Sequence, residues 1–561
     1  MDSSLGNTWC FEIISDAFYS DNSNITGRRA AGQSFFDAFA EHAHPLRVLL
    51  VNDSPETFNQ FASKFNSRQD VLSVPPNNVE ALLAADIFYQ SSPLICQHAW
   101  LRRYVSDSAF SLCGITHSVA TERVICGIQE YITAPLCDWD ALICTSKAAQ
   151  SAVIKTLSER EVYLHERGFK VAECKIQTPV IPLGVNTATY KMDEGKRQLR
   201  KELRHTKGIA VDDVAGIYIG RMDCLSKCHP TPLFISMELA QKKLVNTKLH
   251  LLMVGQFQNS QMEVDFKKSA RIFAPSVNVH WVDGSRSQLV EGALAAADFF
   301  LSLSDNIQES YGLALVEAMS AGLPVIASDW DGYRDTVIDN HTGLLIKTTF
   351  PPEHTGSDLA RGLALQNIDY RSYLGVLSQF TAVDVQQCSE AITALAKDAN
   401  MRGEMSQNAT KRAKETYDWQ KIIQRYEELA GELTQRRRHY EKRADTDNAS
   451  QSRNIAYPNP LSIFFQHPSN ALNDNMVLSS ISDDYASHIN LLLGLQIHAF
   501  ARSLMLDLDD MLEMMDKIDR SSLRVRDLLN AHPEGDHIKI LNSVMWLYKF
   551  GVVKVADLEQ R

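Results

Sequence analysis

Residues 299 to 331 constrain the fold of this chain more tightly than any other stretch. Phe299-Phe300-Leu301-Ser302-Leu303 is an apolar, strand-like run. A polar loop follows and holds Asp305 and Glu309. Ser310, Tyr311 and Gly312 make a small-residue turn, and a helical run then extends to about Ala321. Gly322-Leu323-Pro324 stops that helix, because proline cannot continue it and glycine tolerates the backbone of a helix end. Val325-Ile326-Ala327 is the next buried strand. A strand–loop–helix–strand unit belongs to an open α/β sheet, where ligands bind at the loops leaving the carboxyl ends of strands. One carboxylate, Glu309, sits in such a loop, and a second, Glu317, lies about two helical turns further on.

The same alternation recurs along the chain. Trp9 to Ile14, Leu46 to Val51, Ala85 to Tyr89, Ser111 to Ile115 and Ala141 to Thr145 are strand candidates in the first half. After the polar loop Tyr19 to Asn24 comes Thr26-Gly27-Arg28-Arg29-Ala30-Ala31-Gly32, then the amphipathic run Ser34 to His42. This reads as a glycine-containing loop opening a helix, where free backbone N–H groups face an anion, with Gly32 as the candidate residue. Ser146 starts a helix running to about Leu157, and Val180 to Asn186 forms a last strand and turn. After the charged stretch Lys191 to Lys207 the alternation restarts. Strand Val214 to Ile219 ends at Gly220-Arg221, and helix Pro232 to Lys243 carries Leu233, Met237 and Ala240 on one face. Strands Leu249 to Val254 and Val277 to Val282 and helix Gln288 to Ala297 then lead into residues 299 to 331. The pattern predicts two parallel, doubly wound sheets, one per half. Residues 347 to about 388 are less regular and read as an insertion or a cap.

Size fits this reading: 561 residues exceed the roughly 250–300 that one core sustains, so two or three domains are expected. A formal net charge of -12 argues against nucleic acid as a partner. No run of about 18 uncharged apolar residues predicts a membrane span. The start, MDSSLGNTWCFEI, lacks the basic and apolar regions of a signal peptide. Ten scattered cysteines suit reduced thiols, so a cytoplasmic setting is expected. The densest cluster, Cys224, Cys228 and His229, has no second ligand pair, and no metal site is expected.

Ser389 to about Lys442 reads as helical and includes Trp419. Gln435 to Arg443 is a charge run, ordinarily a solvated helix end; contact with a membrane surface or an acidic partner is its other reading. Asp445 to Asn454 is polar and linker-like. Beyond it, Ile489 to Met515 is apolar at helical spacing, and Leu523 to Leu529, His537 to Tyr548 and Gly551 to Val555 follow. These fit a small, winged-helix-like module in which Met505, Met511, Met514 and Met515 serve helix packing. The expected organisation is an N-terminal domain over 1–190, a second over 191–400, a helical segment over 401–444 closing the core, and a separate module over 455–561.

Glu309 and Glu317 gain meaning from their setting. With Gly312-Leu313, Glu317-Ala318-Met319, Gly322-Leu323-Pro324-Val325 and Gly343-Leu344-Leu345-Ile346, the stretch resembles the E-x7-E signature of retaining, nucleotide-sugar-dependent glycosyltransferases of the family 4 group. Gly220-Arg221 followed by Lys227 resembles that family's G-R…K segment. Ile181-Pro182-Leu183-Gly184-Val185-Asn186 resembles its inter-domain hinge. The likeness covers about residues 180 to 345 well and the N-terminal part loosely. One departure stands out: Cys228 follows Lys227 where the family has glycine.

The resemblance implies the α/β fold called GT-B, two Rossmann-like doubly wound domains facing a cleft, here with a C-terminal, mainly helical extension. It implies transfer of a hexose from a nucleotide-sugar to an acceptor hydroxyl of unknown identity, without a cofactor or metal. Arg221 and Lys227 would meet the diphosphate, and the backbone of Tyr311, Gly312 and Leu313 would meet phosphate and sugar. Glu309 would hold donor-sugar hydroxyls, Glu317 the ribose hydroxyls, and His117, in Gly114-Ile115-Thr116-His117-Ser118, would approach the donor sugar from the N-terminal side. The competing expectation is a GT-B-shaped scaffold without catalysis that engages a partner, protein or peripheral membrane, through its C-terminal segment.

Overall fold

The computed structural model describes residues 7–13, 27–52, 54–65, 70–76, 78–442, 454–481, 483–533 and 535–556. The polar loop Tyr19 to Asn24, Ile14, Thr26, Arg443 and linker residues 445–453 lie outside the described residues. The chain forms two compact units, Met1–Ala456 and Tyr457–Arg561.

The first unit is built on two six-stranded sheets. The N-terminal sheet contains β1 (Thr8–Glu12), β2 (Arg47–Val51), β3 (Val71–Val74), β4 (Ile87–Gln90), β5 (Ser111–Ile115) and β6 (Ala141–Ile143), all parallel and ordered β3-β2-β1-β4-β5-β6. The second contains β7 (Val214–Ile219), β8 (Leu249–Gly255), β9 (Asn278–Asp283), β10 (Phe299–Ser302), β11 (Val325–Ser328) and β12 (Gly343–Ile346). It is also parallel, ordered β12-β11-β10-β7-β8-β9. Each order reverses direction once, at β1/β4 and at β7/β10, the doubly wound pattern. Strands covered on both faces must be apolar on both, which is why LRVLLV and VAGIYI read as unbroken runs.

Helices cover the sheets. Those that bear on the site are α1 (Gly27–His42), α2 (Glu122–Gln129), α3 (Lys147–Glu166), α4 (Pro230–Lys242) and α5 (Leu313–Ser320). The irregular stretch after β12 holds small elements of its own. A two-stranded antiparallel pair, β13 (Thr348–Thr349) and β14 (Ala382–Val383), brackets α6 (Ser357–Ala364) and α7 (Tyr370–Phe380). The chain then resumes with α8 (Val385–Lys397) and ends the unit with α9 (Trp419–Glu441). The helical reading of Ser389 to Lys442 is therefore interrupted. Asp398 and Asp418 each turn a carboxylate back onto the first turn of a new helix, accepting from Met401 and Gln420 N–H.

α9 returns to the N-terminal sheet. Trp419, Ile422, Ile423, Tyr426, Leu429 and Leu433 join Trp9, Phe11, Phe35, Phe36 and Phe39 in one core. The charge run at its end is largely tied down: Arg437 is buried, donates to Ser108 and Ala109 carbonyls, and pairs with Asp86 at 3.0 Å.

The second unit carries an antiparallel sheet of β15 (Val477–Ser480), β16 (Leu523–Arg524) and β17 (Val553–Ala556), with β15 in the middle. Helices α10 (Leu508–Arg520), α11 (Val525–Asn530) and α12 (His537–Lys549) close its core. Met505, Met511, Met514 and Met515 are buried there, as packing residues. The residue pattern does not reveal the central strand β15, because four residues, VLSS, carry too little periodicity.

Candidate functional site

In a doubly wound sheet the crevice forms where the strand order reverses, because the loops on either side depart in opposite directions. In the second sheet that point lies between β7 and β10. The loop after β7 carries Arg221 and Lys227; the loop after β10 carries Glu309. Together they form one wall of a cleft of about 860 Å³. The facing wall comes from the ends of β4, β5 and β6 and the start of α2: Ser92, Thr116, His117, Thr121, Arg123 and Thr145.

The two loops meet through an ion pair. Lys227 Nζ donates to Glu309 Oε2 at 2.6 Å, with side chains 33% and 9% exposed. A carboxylate this buried needs a cation or hydrogen-bond donors to stay charged. Cys228 does not displace the lysine. Its sulfur turns to the Tyr218 hydroxyl at 3.6 Å, and burial pushes its thiol up to about 12, so it stays protonated. Arg221 is exposed in the cleft and has no ion pair among the described residues.

α5 begins at the same place. Its cap, Gly312, has φ 91° and ψ 65°, and no side chain caps the first turn. A side chain at 312 would collide with the Tyr333 ring, because a Cβ would stand 2.2 Å from it. Glycine therefore allows both the left-handed turn and the close approach. Leu313 and Ala314, in that uncapped first turn, line the cleft, and the start of a helix is a setting that favours anions. The Tyr311 side chain points away from that turn. Its hydroxyl donates to the Leu183 carbonyl at 2.8 Å and ties the loop to the hinge segment.

Sequence reasoning missed Asp331. Its backbone is left-handed, φ 45°, which aspartate tolerates better than most residues. Its Oδ1 accepts from the hydroxyl of Ser146, the cap of α3, at 3.2 Å. Burial first, and then the charge of Glu309, raise its carboxyl to about 7. Nearby, Asp335 accepts from the Lys147 N–H at 2.7 Å, a second carboxylate on the start of α3. Only the positive φ and the contact across the fold expose Asp331, and neither is visible in the sequence. Two cleft residues were also missed. The Thr145 hydroxyl and Gln308 Oε1 are buried and have no hydrogen-bond partner among the described residues.

The predicted site residues separate into two sets. Arg221, Lys227, Glu309, Tyr311, Gly312, Leu313 and His117 all line the cleft. His117 sits near the Ser91 hydroxyl, 3.3 Å from its Nε2. Glu317 is not among the lining residues; the Tyr190 hydroxyl donates to its carboxylate, and burial raises that carboxyl's pKa. Gly32 also stands elsewhere than expected. α1 already starts at Gly27, so Gly32 lies inside the helix and is buried, not in a loop. A residue that deep in a helix commits its N–H to the helix's own ladder; the neighbouring Ala31 reaches the cleft instead. Cys224, Cys228 and His229 do not converge, and among the described residues no group of three or more His, Cys, Asp or Glu could hold a metal. No described helix is long and apolar enough to cross a membrane.

Known proteins resemble this arrangement. The chain is 27% identical over 216 residues to the putative glycosyltransferase EpsD of Bacillus subtilis (strain 168), a match covering 38% of this chain and 53% of EpsD. It is 33% identical over 113 residues to the lipopolysaccharide glucosyltransferase WaaG of Escherichia coli (strain K12), covering 20% of this chain and 28% of WaaG. The chain spans about half the length, or less, of the curated relatives it matches. The solved N-terminal domain of Candida albicans trehalose-6-phosphate phosphatase superposes with a TM-score of 0.51 at 11% identity, over 77% of this chain and 98% of that domain. That likeness concerns the fold, which is GT-B: two Rossmann-like halves facing a cleft. Residues 233–366, which include the Glu309 loop, α5 and Asp331, match the family model described as Glycosyl transferases group 1.

Proposed function

We propose that this protein is a retaining glycosyltransferase of the family 4 kind, moving a hexose from a nucleotide-sugar to an acceptor hydroxyl. The observation that carries the reading is the Lys227–Glu309 pair beside Arg221, in the crevice where the strand order reverses. Transfer from a nucleotide-sugar builds negative charge on the departing diphosphate. Arg221, Lys227 and the open N–H groups of α5 supply fixed positive charge for it, which stabilises the transition state more than the ground state. A guanidinium fork suits phosphate oxygens, and the ammonium adds a point charge.

The pairing sharpens the role of Glu309. A diphosphate that draws on Lys227 frees part of the Glu309 carboxylate to accept hydrogen bonds from sugar hydroxyls, so donor binding exchanges one ionic partner for another. His117 approaches the sugar from the opposite wall. The leaving phosphate takes the acceptor's proton on the same face of the sugar, so retention needs no protein nucleophile. The ribose assignment of Glu317 requires its carboxylate, buried beside the Tyr190 hydroxyl, to become accessible from the cleft.

The test is turnover of a panel of UDP-, GDP-, ADP- and dTDP-hexoses by the whole chain. Glu309→Ala and Arg221→Ala are each expected to lower turnover by about 100-fold or more, the scale of losing a transition-state charge partner, with circular dichroism unchanged. Unchanged turnover in both variants would remove these residues from catalysis. Binding of nucleotides without turnover of any donor would favour a non-catalytic scaffold.

A further inference from the structure

We propose that α7, in the stretch between β12 and α8, is a positioning element for the loop between β7 and α4, and that Arg371 is its principal residue. The proposal rests on the reading of that loop as the phosphate-facing wall. The loop carries both Arg221 and Lys227, and a loop of this kind holds its geometry only if its own groups are anchored.

α7 holds the loop at two places directly and at a third through Asp305. At the start, Arg371 donates to Asp223 Oδ2 at 2.9 Å. Asp223 is 1% exposed, and the same carboxylate accepts from the Ser226 hydroxyl at 2.6 Å and the Leu225 N–H at 3.1 Å. It therefore ties the loop to itself, and Arg371 supplies the paired cation. In the middle, Gly375 packs directly under Leu225; a Cβ at 375 would stand 2.4 Å from Leu225 Cδ2. At the end, the Ser378 hydroxyl donates to Asp305 Oδ1 at 2.7 Å, and Asp305 accepts from the His229 N–H. Asp305 also opens the Glu309 loop, and its neighbour Asn306 donates to the Leu225 carbonyl at 2.9 Å.

Residues 371, 375 and 378 follow the i, i+4, i+7 spacing of one helix face. A single face of one helix thus touches the loop at Asp223 and Leu225, touches the facing loop at Asp305, and through Asp305 reaches the end of the first loop at His229. Tyr370, the first residue of α7, lies beside Ser118, next to His117 on the opposite wall. Arg371 itself is 44% exposed and outside the cleft lining, so it acts through Asp223 and not on the ligand.

Isothermal titration of the whole protein with UDP, GDP and ADP, and with the matching monophosphates, tests this. For whichever diphosphate binds, Arg371→Met is expected to weaken affinity about tenfold, the scale of one charged hydrogen bond, with the monophosphate changed far less and the melting temperature nearly kept. Arg371→Lys keeps the charge and is expected to restore most of the loss. Ser378→Ala, which releases Asp305, is expected to give a smaller loss in the same sense. Full diphosphate affinity in Arg371→Met, or equal losses for mono- and diphosphate, overturns the proposal while leaving the site in place. A wild-type protein that binds none of the nucleotides overturns the site and the proposal together.

Discussion

Two carboxyl groups, Glu309 in the cleft and Asp331 near it, sit close enough to feel each other, and their surroundings differ. Glu309 has Lys227 at 2.6 Å. Asp331 has the Ser146 hydroxyl, no cation among the described residues, and the field of Glu309, so burial and that field raise its carboxyl to about 7. Burial without a cation favours the neutral form of Asp331. The consequence for stability has a definite sign. A carboxyl whose folded pKa is raised favours the folded state fully below its ordinary value of 3.8, and that contribution is lost as pH rises through about 7. Asp331→Asn stays neutral throughout. Its melting temperature is therefore expected to exceed that of wild type increasingly from pH 4 to 7 and by a constant margin above, with an upper bound of about 4 kcal/mol. Thermal melts across pH 4 to 8.5 check this; a pH-independent difference would mean that Asp331 is ionised throughout.

At the scale of elements, α9 holds the first unit together. It follows the second sheet in the chain but packs into the core of the first, with Trp419 against Gly184 in the hinge and its indole N–H donating to Ser34 of α1 at 2.8 Å. Leu433 is fully buried on that face. Leu433→Ala is expected to cost about 2–5 kcal/mol, the range for truncating a buried leucine; urea unfolding checks it, and a loss below about 1 kcal/mol would mean that α9 is peripheral. What is legible in the sequence follows from which contacts are local. Buried parallel strands must be apolar on both faces, so Leu46 to Val51 and Val214 to Ile219 stand out, and with them the loops holding Arg221 and Glu309. The start of α1 does not, because Gly27 and Gly32 are both poor helix formers, and the pattern alone puts Gly32 in a loop that the fold does not have. Arg437 reads as a solvated charge because its partner, Asp86, lies 351 residues away. Asp331, Arg371 and Tyr190 are invisible for the same reason: their roles exist only after the fold brings distant segments together.

At the scale of the molecule, the two units have separate cores, and this has a measurable consequence. The core of the second unit draws on Met476, Leu478, Ile489, Met511, Met515, Val525, Leu528, Val544, Leu547 and Val553, all from the same unit. Its sheet is also self-contained: β15 pairs with β16 on one side and β17 on the other. A unit that buries its own apolar side chains and satisfies its own sheet has what it needs to unfold as one cooperative step. Scanning calorimetry of the whole chain is therefore expected to show two transitions. For residues 457–561 the enthalpy should be about 70 kcal/mol, from about 0.7 kcal/mol per residue. The cleft lies entirely within residues 1–456. A nucleotide that binds it should raise the melting temperature of that unit alone, because binding stabilises only the state that binds. The other transition should stay where it was, and the 457–561 fragment made by itself should melt at the same temperature. A single transition that moves as a whole with nucleotide would show that the two cores unfold together.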